Sequence, residues 1–303
     1  MTRIRKALIT GVHGFTGRYM AMELADAGYC VFGMGAGTGS VAGVDDYRQI
    51  DLLDAPAVQA VVEDCRPDVV VHLAAVAFVG HGDADAFYRV NLLGTRNLLQ
   101  ALASLSNRQD AVLLASSANV YGNASEGILS EAVPPAPAND YAVSKLAMEY
   151  MAKLYMNRLP LVITRPFNYT GAGQDERFLV PKIVAHFRRK APIIELGNIE
   201  VWRDFGDVRM VVRAYRQLLE QNSAVGQTVN VCSGQAHSLH EILDMCKAIT
   251  GHDIRVEINS AFVRENEVRV LRGDDTRLRT LLAGWQPIEL RDTLRWMLAD
   301  DAA

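Results

Sequence analysis

The chain has 303 residues, half of them apolar and 22% charged, with a net charge of −4, which suits a globular protein of one large domain or two sharing an interface. No basic block invites nucleic acid or an anionic membrane surface, and no apolar run approaches the ~20 residues needed to span a bilayer. Four separated cysteines, Cys30, Cys65, Cys232 and Cys246, lack zinc or disulfide spacing and read as reduced thiols of a cytoplasmic protein.

The basic start MTRIRK leads into KALIT, residues 6–10, a short strand with too little apolar length for a signal peptide. Helical spacing follows over 14–27, then a strand over 30–33 and a weaker one over 48–50. Residues 56–64 read as a helix, and DVVVHLAA (68–75) is a continuous apolar run after a Pro-Asp turn. A long helix is predicted from about 84 to 105, then a strand over 111–115, a helix starting near Tyr141 and a strand over 161–164. Apolar, unalternating strands separated by helices predict an α/β fold with a doubly wound parallel sheet.

Past residue 165 the pattern loosens. Glycines and prolines break 166–206, while 208–222 and 239–251 read as helices and TVNVCSG as a strand. The expected organisation is a dinucleotide-binding domain over 1–165. A mainly substrate-binding region over 166–303 follows, with some segments returning to the first sheet.

TGVHGFTG places Gly11, Gly14 and Gly17 between the first strand and its helix. A turn free of side chains there lets a pyrophosphate sit on helix N–H groups, so the expected cofactor is NAD or NADP. The second strand ends in GMGAGTGS, with neither the acid of an NAD site nor the arginine of an NADP site. The nearest candidates are Asp45, Asp46 and Arg48, which leaves the phosphate status open. Asp51 either accepts from the adenine amine or serves as a helix N-terminal acid.

NDYAVSKLAMEY carries Tyr141 and Lys145 at i, i+4, on one helix face. A neighbouring ammonium is expected to lower the phenol pKa from ~10 and to hold the cofactor ribose. Ser117 lies at the carboxyl end of a sheet strand, where such folds bind ligands, and can orient phenol and substrate oxygen.

TGxxGFxG, HLAA (72–75), VNxxGT (90–95), SSANVYG, YAVSK and RPFN (165–168) occur in that order. Together they resemble the extended short-chain dehydrogenase/reductases, which act on nucleotide-activated sugars. The resemblance implies Ser117, Tyr141 and Lys145 as catalytic residues, with Asn91 supporting the lysine side. It implies a cofactor lining of Gly11, Gly14, Phe15, Gly17, Asp51, Leu52, Leu73, Ala74, Ala75, Asn91, Tyr141, Lys145 and Pro166. RPFNYTGAGQDERFLVPKI, GNIEVWRDFGDVRMVVRAY, TVNVCSG and GWQP resemble GDP-4-keto-6-deoxy-mannose reductases, relatives of GDP-mannose 4,6-dehydratase. That likeness implies Asn168, Arg203 and Arg264 near the sugar nucleotide's diphosphate, where arginine suits phosphate. Val180 joins Ser117 and Asn119 on the implied substrate side, and no metal is implied.

A 4,6-dehydratase must also remove the C5 proton and expel the C6 hydroxyl, and its family places an acid two residues after the catalytic Ser or Thr. Here that residue is Asn119, an amide that cannot deliver a proton. A 4-reductase and a 4-epimerase acting on a nucleotide-linked 6-deoxyhexose need the same atoms, so both stay open, with the second-half likeness favouring the reductase. Ala77 and Phe78 are placed near the sugar. His81, in FVGHGD, reads as a solvated loop histidine, with a sugar contact as the alternative. The family also implies a homodimer built on the Tyr141 helix and the one predicted over 84–105. A non-catalytic dinucleotide sensor ranks below these readings, because Ser117, Tyr141 and Lys145 are all present.

Overall fold

Lys6–Thr10 forms β1, whose Ala7, Leu8 and Ile9 are fully buried because both faces of its sheet are covered. The computed structural model describes residues 3–77, 83–123, 127–260 and 268–299. After β1 come α1 (Phe15–Asp26), β2 (Cys30–Gly35), β3 (Asp46–Gln49), α2 (Ala55–Cys65) and β4 (Val69–His72). The short α3 (Ala84–Ala86) runs into a π-helical stretch (Phe87–Gly94) and then α4 (Thr95–Ser104). β5 (Ala111–Ala115), a 3-10 turn (Ala118–Tyr121), β6 (Gly127–Leu129), α5 (Asp140–Lys153) and β7 (Leu161–Pro166) follow.

The second half holds β8 (Asn168–Thr170), α6 (Leu179–Arg188), β9 (Ile193–Leu196), β10 (Trp202–Asp207) and α7 (Val208–Leu219). Then come β11 (Thr228–Val231), β12 (Ala236–Ser238), α8 (Leu239–Thr250), β13 (Arg255–Ile258), β14 (Val270–Gly273), α9 (Thr276–Leu281) and α10 (Leu290–Ala299).

The large sheet is parallel, seven strands in the order β11-β7-β5-β4-β1-β2-β3. Its order reverses between β1 and β4, the switch point where a doubly wound α/β fold opens a crevice. The paired register puts Thr10 beside both Met34 and His72, so three carboxyl ends stand level there. Alternation fills both faces. Ala7, Ile9, Val69 and Val71 pack with Met20 and Leu24 of α1 and Val211 and Tyr215 of α7. Leu8, Val70, Val112 and Leu114 pack with Val58 of α2, Leu98 of α4 and Met148 of α5 on the other face.

A smaller sheet runs β12-β10-β14-β6, with β8 on β10, and β9 pairs with β13. β11 returns to the large sheet and β6 joins the small one, so a cut at residue 165 leaves a strand of each on the far side.

Several elements differ from the expected ones. The strand expected at 48–50 lies at Asp46–Gln49, and that of HLAA stops at His72. The helix expected over 84–105 is interrupted by π winding, which a 3.6-residue pattern does not reveal. α6 arises within the segment read as broken because Pro181 sits in its first turn, where no intrahelical N–H is needed.

Candidate active site

Gly11 has φ +70, and a Cβ there would lie 2.7 Å from the backbone N and Cα of Ala74. A Cβ on Gly17 would collide with the Gly11 carbonyl and sit 2.7 Å from Val12 Cα. Gly14 begins α1 without a side-chain cap, so the first N–H groups of a twelve-residue helix face the turn. The cradle fits a pyrophosphate, because backbone donors and the helix dipole meet where side chains are excluded. Phe15 opens the helix and stacks on Tyr169 of β8, with ring centroids 6.3 Å apart. Thr16 Oγ1 and Tyr169 Oη share a 2.7 Å hydrogen bond.

At the end of β2, Ala36, Thr38, Gly39 and Ser40 are exposed. The Tyr47 hydroxyl lies 2.7 Å from the Gly35 and Gly37 carbonyl oxygens, and His13 Nε2 is 3.0 Å from the Gly39 carbonyl. The acids singled out nearby turn away. Asp45 accepts from Val31 N–H at the start of β2, and Asp46 pairs with Arg48, which also meets Asp64. Asp51 accepts from Leu53 N–H at 2.9 Å and braces its own turn; the cap of α2 is Asp54. Leu52 is buried and its carbonyl accepts from Asn97.

His72, which the sequence reading did not single out, organises the HLAA turn. Thr95 donates its hydroxyl to the Asn91 carbonyl at 2.7 Å, so its oxygen accepts from His72 Nε2–H, also 2.7 Å away. His72 Nδ1 therefore accepts from the Thr10 hydroxyl at 2.7 Å, whose oxygen takes Leu73 N–H and Ala74 N–H. This places the proton on Nε2 of a neutral imidazole, and burial with the nearby Lys145 charge pushes its pKa down to about 3. Leu73, Ala74 and Ala75 are half-buried along that turn.

Ser117, Tyr141 and Lys145 come together at the carboxyl end of β5. Ser117 caps the 3-10 turn by accepting from Asn119 N–H, and its side chain stands close enough to Tyr141 to favour the phenolate. Lys145 is buried and donates to the Ala115 carbonyl at 2.7 Å. The phenol pKa is not lowered as expected. Burial raises it to about 12, against a lowering by the neighbouring Ser117. The lysine is itself pushed down to about 8 by burial, with Glu149 opposing.

Asn91 bonds Ser144 Oγ and both backbone groups of Val76 instead of the lysine. It fixes α5 to the HLAA turn through Ser144, whose hydroxyl donates to the Tyr141 carbonyl. Phe87 meets the Tyr141 ring edge-on at 6.0 Å. Asn119 is exposed at the mouth of this group, and Pro166 ends β7 half-buried.

From the second half, Asn168 pairs with Phe205 and Arg203 lies two residues earlier on β10. Parallel register and strand alternation put Asn168 and Arg203 on one sheet face, about 7 Å apart along the strand. Arg203 Nη1 donates to the Trp202 carbonyl at 2.9 Å. Val180 is buried in the core of α6, α8 and α10. Phe78, His81 and Arg264 lie outside the described residues. Among the described residues, no helix is long and apolar enough to cross a membrane and no cluster could hold a metal ion. All four cysteines are free.

A family profile described as GDP-mannose 4,6 dehydratase matches residues 8–297. A GDP-6-deoxy-D-talose 4-dehydrogenase of Aggregatibacter actinomycetemcomitans is 35% identical over 284 residues, 91% of each chain. A GDP-6-deoxy-D-mannose reductase of Pseudomonas aeruginosa is 33% identical over 98% of this chain and 97% of its own. Among solved structures, a candidate epimerase from Burkholderia cenocepacia J2315 is 53% identical, covers 97% of both chains and superposes with a TM-score of 0.92. Other solved neighbours hold NADPH or NAD.

Proposed function

Because the chain belongs to the GDP-mannose 4,6-dehydratase family, we propose that it is an oxidoreductase exchanging hydride at C4 of a GDP-linked 6-deoxyhexose. Its reductive direction acts on a 4-ketone with Tyr141 as proton donor. The observation that carries this reading is Asn119, an exposed amide two residues after Ser117, where a dehydratase needs an acid. Among the described residues, the nearby carboxylates Glu149 and Glu131 are engaged by Arg165 and by Arg277 with the Asn230 N–H.

When bound, the reduced nicotinamide supplies the hydride. Gly11, Gly14, Gly17 and the start of α1 would hold its pyrophosphate. Burial keeps the Tyr141 phenol protonated at neutral pH, ready to meet the oxygen that gains charge. Ser117 orients that oxygen, and the Lys145 ammonium stabilises the phenolate left behind. Asn168 and Arg203 are assigned to the diphosphate. The carboxylate-free end of β2 leaves room for a 2′-phosphate, so NADPH is the assigned reductant. Exposed Leu93, Val143, Tyr150 and Leu154, on the π-helical stretch and α5 with its exit, support a homodimer.

Incubation with a GDP-linked 4-keto-6-deoxyhexose and NADPH tests the reading. One mole of NADPH is oxidised per mole of sugar alcohol formed; absence of turnover with that substrate class sinks it. A 4-epimerase reading draws on the Burkholderia likeness. It predicts instead interconversion of C4 epimers by enzyme-bound NAD with no net cofactor consumption.

A further inference from the structure

Behind the reacting groups lies an ion pair that the reaction above does not use. Glu149 is 1% and Arg165 6% exposed. Arg165 Nε donates to Glu149 Oε1 at 2.9 Å and Nη2 to Oε2 at 2.7 Å. The Ser116 hydroxyl donates to the same Oε1 at 2.6 Å. Two consecutive residues at the end of β5 are thus held by side chains of α5: Ala115 takes Lys145 and Ser116 reaches Glu149, and the next residue, Ser117, stands beside Tyr141. Positions 141, 145 and 149 share one helix face.

We propose that Glu149 is a positioning residue for the C4 reaction: its carboxylate, braced by Arg165 and Ser116, sets where Ser117 stands against Tyr141 and keeps Lys145 charged. The proposal rests on the reductase reading for its substrate, while its structural content does not. A buried carboxylate without partners is costly, and the bidentate guanidinium with the serine bond offsets that cost. The same bonds leave the carboxylate little freedom. Ser116 N–H also donates to the Thr164 carbonyl, so the brace joins α5, β5 and β7 at one point.

The electrical part has a definite sign. Burial works against the Lys145 ammonium, and Glu149 is the group that favours it. Other titratable groups around this point are Tyr141 on the same helix, His72 from β4, and Arg165 with Tyr121 beyond the carboxylate. Asp140, at the start of α5, is taken by the Tyr88 hydroxyl of the π-helical stretch. Removing only the negative charge leaves burial unopposed at Lys145, so the lysine loses its proton at lower pH.

The test compares wild type, Glu149→Gln, Glu149→Asp and Ser116→Ala as full chains. The Lys145 titration is followed by NMR of isotope-labelled lysine, alongside the pH profile of kcat/KM for reduction. Glu149→Gln is expected to move both the lysine titration and the alkaline limb down by about one pH unit or more. Glu149→Asp keeps the charge and restores the limb while kcat stays low. Ser116→Ala, which leaves the ion pair intact, is expected to lower kcat about tenfold without moving the lysine titration. A wild-type lysine titration in folded Glu149→Gln overturns the proposal. So does wild-type kcat in Ser116→Ala, which serves where Glu149→Gln does not fold. If wild type reduces no 4-keto sugar, the reductase reading fails and the lysine titration still decides the role of Glu149.

Discussion

Replacing Gly11 by Ala tests the nucleotide cradle at its tightest point. At φ +70 an alanine bears the left-handed penalty of about 1–2 kcal/mol. Its Cβ would also lie 2.7 Å from Ala74 N and Cα. Ordinary contact begins near 3.4 Å, so the loops must part by roughly 0.7 Å or more. Overpacking of that kind costs about 1–3 kcal/mol. Ala74 is held by its N–H bond to Thr10 Oγ1 at 3.1 Å, so parting the loops breaks the anchor of the HLAA turn. The total, roughly 2–5 kcal/mol, corresponds to about 30-fold to 4,000-fold in NADPH affinity if the cradle opens to relieve it. Isothermal titration with NADPH measures this, and thermal unfolding reports any share taken by global stability. Gly28→Ala is the control: its φ is +83 and a Cβ there meets nothing within 4 Å. It should lose about 1–2 kcal/mol of stability and none of the affinity. Gly11→Ala binding NADPH within threefold of wild type, at an unchanged Tm, refutes the cradle argument.

Tyr141→Phe keeps the ring and its contact with Phe87 but removes the donor; kcat should fall about 10²- to 10⁴-fold with NADPH affinity unchanged, and a loss under tenfold would reassign the proton. Ala36→Asp puts a carboxylate at the exposed end of β2. It should raise KM for NADPH at least about tenfold while sparing NADH, because like charges meet at the 2′-phosphate; equal effects on both cofactors would place that phosphate elsewhere. His72 has a folded pKa near 3 against its usual 6.5, so its stabilising contribution is complete above pH 6.5 and is lost as pH falls toward 3. At 1.36 kcal/mol per pH unit that is roughly 4–5 kcal/mol. Urea unfolding of wild type at pH 7 and pH 4.5, beside His72→Gln, should show the variant with the smaller acid loss; equal losses would mean that another group carries it.

The large sheet was legible because its strands are buried on both faces and spell themselves as unbroken apolar runs such as VVVH and AVLLA. The small sheet hid for the opposite reason. β10 reads WRDFGD, with two acids that composition assigns to a loop. Yet Asp204 is fully buried, because Ser233, Gly234 and Gly273 supply N–H groups to it from β14 and the loop after β11. Those donors lie 29 to 69 residues away in sequence, beyond the reach of local pattern. α6 was masked by Pro181, which a first turn tolerates.

The same distinction runs through the site. Glycine spacing and the Tyr-x-x-x-Lys pair are local geometry, and local spacing finds them. His72 and Glu149 look like an ordinary strand end and an ordinary helix charge until Thr10, Thr95, Ser116 and Arg165 arrive from other elements. The sign of the Tyr141 pKa depends on this too. A lysine one turn away suggested a lowered phenol, but its ammonium bonds the Ala115 carbonyl and burial outweighs the lowering effect of Ser117. For a proton donor the raised value is the more useful one, since a phenol already ionised at neutral pH has no proton to give. Lysine and tyrosine then have separate tasks. Burial keeps the proton on Tyr141 before transfer, and the Lys145 charge stabilises the phenolate afterwards, a charge that burial alone would weaken and that Glu149 sustains.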